Sequence, residues 1–184
     1  MINDDFFVIR LYSSSYYTYI NGYLRDQYFH HDKIFTKEEI ISWISCLQLA
    51  LSRNINVEDD LNVYRGIHKY KFSSEVGIGT KFYFREFVSA SIKRNIAENF
   101  LNEEGTLLII KIKNNGTNGF PNYCYYIEDI TMFENEFEVL FSSHCYFSIT
   151  KIQHKKNIDI IYSTCEGYLL DKIKDKNMKL LSFS

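Results

Sequence analysis

The chain has 184 residues, of which 46% are hydrophobic and 24% are charged, values that are ordinary for a globular domain. Its formal net charge is -2 and it has no long run of Lys or Arg, which argues against non-specific binding to nucleic acid. Its 15 Tyr, 15 Phe and single Pro favour extensive β-sheet and few rigid linkers.

The N-terminus and the cysteines bear on location and metal binding. Residues 1–5 include two acids where a secretory signal would be basic, and no stretch approaches the ~18 apolar residues of a membrane span. The four cysteines, Cys46, Cys124, Cys145 and Cys165, lack the short spacings of a zinc site, so we expect no metal. These features favour a cytoplasmic protein with reduced thiols, whereas export or delivery by another route would reverse that expectation.

Two helical stretches are predicted in the first part of the chain. Apolar and aromatic residues from Ile9 to Tyr23 recur at spacings of three and four, although a Ser-rich centre weakens the pattern. A second helix is predicted to start at Thr36, which can form a capping box with Glu39. Its apolar face comprises Ile40, Trp43, Ile44, Leu47, Ala50 and Leu51. Polar residues at 53–54 mark its end.

The rest of the chain favours short strands. We predict them at 61–66, 82–84, 87–89, 106–113, 123–127, 137–141, 146–152 and 158–162. A short helix is predicted over 92–100, and a turn over 114–119 where Asn and Gly concentrate. Helices first and strands afterwards indicate an α+β fold. We predict one domain over 1–184, with a helical part over about 1–58 and a β core over about 59–184.

An arginine stands near the end of the first predicted strand, in Tyr64-Arg65-Gly66. A guanidinium there would offer a fixed positive fork to a phosphate or carboxylate, and Gly66 would let a ligand approach the backbone closely. The alternative is a strand-end arginine that pairs with a surface acid.

Two serines alternate within the segment 87–91. On a strand, Ser89 and Ser91 would share one face, where hydroxyls can orient a neighbouring carboxylate. The alternative is a strand that runs into a helix capped by Ser91, and both interpretations can hold together.

Two glutamates precede an apolar strand. If both lie on it, Glu136 and Glu138 point the same way, about 7 Å apart. Carboxylates so close repel each other and resist burial, so the arrangement costs stability. Stabilising an oxocarbenium-like sugar, as in glycoside cleavage, is chemistry that needs such groups. The alternative is an acidic turn before the strand.

The order Arg, Ser-x-Ser, Glu-x-Glu resembles the Arg-Ser-Glu class of mono-ADP-ribosyltransferases, and specifically the arginine-modifying branch that includes the vertebrate ecto-enzymes. The likeness runs from about Tyr12 to about Tyr168. The segments that carry it are 16–25, 47–51, 63–66, 79–100 and 133–147. The chain departs from the family pattern at Ala90, where Thr or Ser is common, and its cysteines do not match the disulfides of the ecto-enzymes.

The resemblance implies a helical N-terminal part, a split two-sheet β core, and transfer of ADP-ribose from NAD to a protein arginine. It implies that Arg65 binds the NAD phosphates and the adenosine-side ribose, and that Gly66 contacts the nicotinamide amide. Ser89 would position Glu138 and touch the nicotinamide-side ribose. Glu138 would bond the ribose 2′-hydroxyl and stabilise positive charge as nicotinamide leaves.

The resemblance also implies how an acceptor is used. Glu136 would orient the acceptor guanidinium and help to remove its proton, since a free guanidinium, with a pKa above about 12, is a poor nucleophile. Phe133 would help to seat the target; a core or turn aromatic is the alternative. We expect NAD as substrate, a target protein with an exposed arginine, no nucleic-acid partner, and a monomer acting as a toxin or effector.

Three other functions compete with this one. Water in place of arginine would make the chain an NAD glycohydrolase. A catalytically silent binding module could retain the fold, although intact Arg65, Ser89, Glu136 and Glu138 argue against it. An adaptor unrelated to NAD would require the ordered motifs to be coincidental.

Overall fold

The computed structural model describes residues 3–26, 35–53, 57, 60–72, 76–101, 103–113, 123–168 and 178–181. The predicted turn over 114–119 lies outside these residues. Within them, helices come first and strands follow, with one short helix between strands, which confirms the α+β class.

The N-terminal helical stretch is divided by its serines. Helix α1 (Asn3–Leu11) and helix α2 (Tyr17–Leu24) are joined by a π-helical segment, Tyr12–Tyr16. Within that segment Ser14 has φ -85° and ψ -162°, which breaks the helix. The hydroxyls of Ser13 and Ser14 each donate to the backbone carbonyl three residues earlier. Such bonds compete with regular helix geometry, so the kink falls where the apolar pattern is weak.

Helix α3 (Lys37–Arg53) begins at the predicted capping box. The Glu39 N–H donates to Thr36 Oγ1 at 3.2 Å, and the Thr36 N–H donates to the Glu39 carboxylate at 2.7 Å. The buried side chains of its apolar face are Ile40, Ile44, Leu47, Ala50 and Leu51. They pack in one cluster with Phe87 and Leu140, so the helices cover one face of the strand region.

The described strands are β1 (Asn62–His68), β2 (Lys81–Phe84), β3 (Val88–Ser91), β4 (Gly105–Ile112), β5 (Cys124–Tyr126), β6 (Glu138–Phe141), β7 (Cys145–Lys155), β8 (Ile158–Tyr168) and β9 (Met178–Leu181). Helix α4 (Arg94–Asn99) lies between β3 and β4. The predicted strands all form, most within two residues of their expected starts, while β7 and β8 extend well beyond their expected ends.

The described strands form a single sheet, with the order β5-β6-β3-β1-β4-β8-β7-β2-β9. The expected split two-sheet core is present as two halves of one ladder, joined by the hydrogen bonds between β1 and β4. The sheet folds over on itself, because Phe141 on β6 and Phe147 on β7 contact each other with ring centroids 5.7 Å apart. The two halves therefore enclose one core without a break between them, and the three buried cysteines, Cys124, Cys145 and Cys165, carry free thiols within it.

Candidate active site

The three sequence motifs lie on three adjacent strands. In the sheet, β3 lies between β1 and β6. Tyr64, next to Arg65, is opposite Ser91, and Ser91 is opposite Glu138. Residues separated by more than 70 positions in the chain are thus brought into one row by antiparallel pairing.

A cavity of about 440 Å³ opens beside this row, within the size range of small-molecule sites. Its walls include every candidate site residue from the sequence: Arg65, Gly66, Ser89, Phe133, Glu136 and Glu138. Ser91, Tyr64 and residues of the N-terminal helices complete the lining. The predicted residues therefore converge on one space.

Arg65 is held in the cavity wall by the neighbouring strand. Its Nη1 donates to the backbone carbonyl of Ser89 at 2.7 Å. Its Nε has no hydrogen-bond partner within the described ranges. Burial lowers the pKa of Arg65, and the negative charge of Glu86 opposes that shift. The side chain is thus not the exposed strand-end arginine of the alternative interpretation, and it retains donors for a ligand.

Glu138 is a buried carboxylate, 5% exposed, at the first position of β6. Thr131 Oγ1 donates to its Oε2 at 3.4 Å, and the Ser89 hydroxyl also bonds it. Burial raises the pKa of Glu138 and the charge of Glu136 adds to this, while the two hydroxyl bonds act in the opposite direction. The site therefore holds a desolvated carboxylate that two donors support in its ionised form.

Glu136 lies before strand β6 and not on it. Strand β6 begins at Glu138, and Phe137 has φ +51°, so the side-chain alternation of a strand is interrupted between the two glutamates. Glu136 instead lies half-buried in the preceding loop, and it still reaches the cavity. Burial raises its pKa, and the negative charge of Glu128 raises it further.

Ser91 is not the helix cap that we expected. Helix α4 starts at Arg94, and its N-cap position is occupied by Lys93. The Ser91 hydroxyl accepts from the Lys93 N–H at 3.1 Å and donates to the backbone carbonyl of Glu136 at 2.6 Å. Its hydroxyl therefore ties the loop that carries Glu136 to strand β3.

Gly66 has a packing role that the sequence did not indicate. A Cβ at this position would lie 2.0 Å from the carbonyl oxygen of Ala97 in α4. The absence of a side chain lets α4 lie directly against β1, and α4 with the residue after it contributes Ile96, Ala97 and Phe100 to the cavity wall. Gly66 itself also lines the cavity.

The N-terminal helices supply polar groups that the sequence analysis did not assign to the site. Asn21 bonds the hydroxyl of Tyr12 at 3.0 Å and both backbone groups of Phe87, at 3.2 and 3.4 Å. Arg25 is four residues further along, and its Nε lies 3.2 Å from Oε1 of Glu86. The Glu86 side chain is 0% exposed. Polar residues at helical spacing on an aromatic helix could have indicated Asn21 and Arg25; nothing local marks Glu86.

Aromatic side chains surround the cavity mouth. Phe133, Phe100 and Tyr17 line the cavity and are exposed. Phe133 is 45% exposed, so it is not the core aromatic of the alternative interpretation. Exposed rings on the cavity wall offer an apolar contact surface to a larger ligand.

Two further observations concern the described part of the chain alone. There, no group of three or more His, Cys, Asp or Glu side chains could hold a metal ion. Of the helices in these same ranges, none is long and apolar enough to cross a membrane.

Comparison with known proteins gives a family. A family model described as ADP-ribosyltransferase exoenzyme matches residues 3–176, nearly the whole chain. This assignment is broader than the arginine-modifying branch suggested by the motif order. No curated protein matches the chain.

Solved structures of bacterial ADP-ribosyltransferases share the fold. The Vis toxin from Vibrio splendidus is 21% identical, with a TM-score of 0.74 over 98% of this chain and 80% of that chain. Vis in complex with agmatine gives 21% identity and a TM-score of 0.75, with 98% and 81% covered. C3stau2 from S. aureus, solved with NAD, is 16% identical with a TM-score of 0.68, covering 91% and 88%.

Proposed function

Because the chain belongs to the ADP-ribosyltransferase exoenzyme family, we propose that it transfers ADP-ribose from NAD to an arginine side chain of a target protein and releases nicotinamide. The observation that carries the proposal is the single cavity shared by Arg65, Ser89, Glu136 and Glu138. Mono-ADP-ribosylation with NAD follows from the family; the acceptor and the role of each residue are the proposed part.

Cleavage of NAD is assigned to Arg65, Ser89 and Glu138. Arg65, with unused guanidinium donors in the cavity wall, binds the anionic diphosphate. As the glycosidic bond breaks, nicotinamide leaves with the bonding electron pair and the ribose becomes cationic. The Glu138 carboxylate stabilises that cation, because a negative charge fixed in a desolvated site needs no rearrangement as the positive charge develops. The bond from Ser89 orients the carboxylate and favours its ionised form.

Transfer is assigned to Glu136. The guanidinium nitrogen of the acceptor forms a bond to the anomeric carbon, and its proton passes to the Glu136 carboxylate. Burial and the charge of Glu128 raise the pKa of Glu136, which makes it a stronger proton acceptor than a free carboxylate. The agmatine complex of Vis supports an arginine-like acceptor, because agmatine presents a guanidinium group.

The proposal is tested by following two products of labelled NAD: nicotinamide released and label joined to agmatine. Glu138→Gln should reduce both by roughly 10²–10⁴-fold while NAD still binds. Glu136→Gln should reduce labelling of agmatine much more than NAD hydrolysis. Glu134→Gln, a change at an exposed position in the same loop, is the matched control and should change neither.

Three results would count against it. Near-normal turnover by Glu138→Gln contradicts the assignment of the cavity as the active site. Equal losses of transfer and hydrolysis in Glu136→Gln contradict the role of Glu136. Nicotinamide release without labelling of agmatine or protein indicates that water is the acceptor, and the chain is then an NAD glycohydrolase.

A delivered toxin or effector is the setting that we propose for this activity. The family is one of exoenzymes, and the similar structures include a protein named as a toxin. Mass spectrometry of host and bacterial lysates incubated with the protein and labelled NAD would identify the modified proteins and residues. Modification confined to proteins of the producing cell would contradict a toxin role.

A further inference from the structure

The loop between β5 and β6, residues 127–137, is fastened at both sides of Glu136. On the β3 side, the Glu136 carbonyl accepts from the Ser91 hydroxyl at 2.6 Å, and the Phe137 carbonyl accepts from the Ile92 N–H at 3.0 Å. In the middle of the loop, the Met132 N–H donates to the Ser13 hydroxyl at 3.1 Å. The loop is therefore bound to both the sheet and the N-terminal helices.

On the other side, one carboxylate holds the loop. Glu128 Oε1 accepts from the Asn135 N–H at 2.8 Å, and its Oε2 accepts from the Glu138 N–H at 3.3 Å. The two bonds bracket Glu136. Bonds from backbone N–H groups to a charged acceptor are stronger than neutral ones.

Between the two N–H groups that Glu128 binds, the backbone adopts a conformation that residues other than glycine rarely take. Asn135 has φ +66° and Phe137 has φ +51°, both in the left-handed region. Residues other than glycine adopt this region infrequently and remain there where surrounding contacts hold them. The two Glu128 bonds hold the backbone at both ends of this segment. Without them, the residues on both sides of Glu136 lose contacts that keep the left-handed conformation.

We propose that Glu128 is a positioning residue whose carboxylate holds Glu136 in place for the acceptor, and so directs ADP-ribose to the acceptor rather than to water. The inference rests on the proposed function of the cavity. Two separate effects of Glu128 support the proposal. Its bonds fix the loop, and its negative charge adds to burial in raising the pKa of Glu136.

Glu138 also donates its N–H to Glu128, but three other bonds hold it in place. Its carbonyl accepts from the Ile127 N–H at 2.9 Å, and its carboxylate is bonded by Thr131 and Ser89. Loss of Glu128 therefore leaves the cation-stabilising group in place and disturbs the group that handles the acceptor. The expected consequence is a change in the partition of ADP-ribose between acceptor and water.

The test is Glu128→Gln, which keeps the size of the side chain and removes its charge and one of its two acceptors. Labelling of agmatine should fall about tenfold, NAD hydrolysis less than about threefold, and the KM for NAD should stay within about twofold. The matched control is Asp129→Asn, which removes the neighbouring exposed charge and should leave both rates unchanged. The ratio of transfer to hydrolysis is measured in one sample, so partial unfolding cannot change it.

The outcomes separate this inference from the function on which it rests. A wild-type protein that labels agmatine, with a Glu128→Gln variant that keeps the wild-type ratio, overturns the role of Glu128 alone. A fall in both rates by the same factor also overturns it, since that is the signature of a purely structural residue. A wild-type protein that releases nicotinamide and labels no acceptor overturns the proposed transfer and this inference with it.

Discussion

Replacing Gly66 with Ala would put a methyl group into the contact between β1 and α4. The added Cβ would lie 2.0 Å from the carbonyl oxygen of Ala97 and 3.1 Å from the Cβ of Phe100, whereas ordinary contact begins at 3.4 Å. The Ala97 oxygen cannot turn away, because it accepts the Phe100 N–H at 3.2 Å within the helix. Helix α4 must therefore shift by about 1 Å or more in a close-packed region.

Overpacking of this kind typically costs about 1–3 kcal/mol, and a clash with backbone should fall at the upper end. We expect Gly66→Ala to lower the free energy of unfolding by about 2–3 kcal/mol, measured by urea denaturation. The KM for NAD should also rise, because Ala97 and Phe100 line the cavity and move with α4.

The same substitution in α2 provides the control. Among the described residues, nothing outside the backbone of the helix itself lies within 4 Å of a Cβ built at Gly22, so Gly22→Ala should be neutral or stabilise the protein by up to about 1 kcal/mol through helix propensity. A Gly66→Ala protein within about 0.5 kcal/mol of the wild type would refute the packing argument. Equal effects of the two substitutions would refute it as well.

Three further predictions concern the residues around the glutamates. Burial raises the pKa of Glu138 above 4.5, so the folded protein should lose stability as the pH rises through that raised pKa. Glu138→Gln should remove this loss, and parallel curves of unfolding free energy against pH for the wild type and the variant from pH 4 to 8 would contradict it. Ser91→Ala should lower stability by about 1–2 kcal/mol and reduce labelling of agmatine without changing the KM for NAD; an unchanged labelling rate would contradict the loop contact. Asn21→Ala should cost about 2 kcal/mol in urea denaturation, because its bonds join the helices to Phe87; a loss below about 0.5 kcal/mol would contradict that role.

The sequence predicted the parts of the fold that depend on local pattern. The capping box at Thr36 forms with both reciprocal bonds, because its two residues are three positions apart and need no distant contact. Strand β4 forms where a continuous apolar run was present, and it lies between β1 and β8 as a buried central strand does. In both cases the physical cause lies within a few residues.

Features set by distant contacts were not predictable in this way. Strand β9 pairs in parallel with β2, almost 100 residues earlier, and was not expected. The ion pair of Arg25 with buried Glu86 joins a helix to the loop before β3, and neither residue carries a local signal of its partner. The continuity of the hydrogen-bonded ladder between the two halves of the core was not predictable, because a folded sheet and two sheets produce the same alternation in each strand.

The candidate site was predicted by the order of its motifs more than by any motif alone. Arg65, Ser89 and Glu138 lie on adjacent strands and share one cavity, which no single spacing required. The role of Ser91 was missed because a serine before a helix favours a cap, whereas its bond to Glu136 spans 45 positions. Glu128 was missed because its carboxylate bonds backbone N–H groups, and such bonds leave no trace in the pattern of side chains along the sequence.

The break in alternation between the glutamates explains how the pair is tolerated. On one strand, Glu136 and Glu138 would lie side by side on a single face and both would resist burial. The left-handed Phe137 instead puts Glu138 at the head of β6, 5% exposed, and leaves Glu136 in a half-buried loop. The Phe137 ring also contacts the Lys93 ammonium, which lies 3.1 Å from the ring centroid. Phe137 therefore lets two carboxylates face one cavity, one from a strand and one from the loop before it, which a regular strand would not allow.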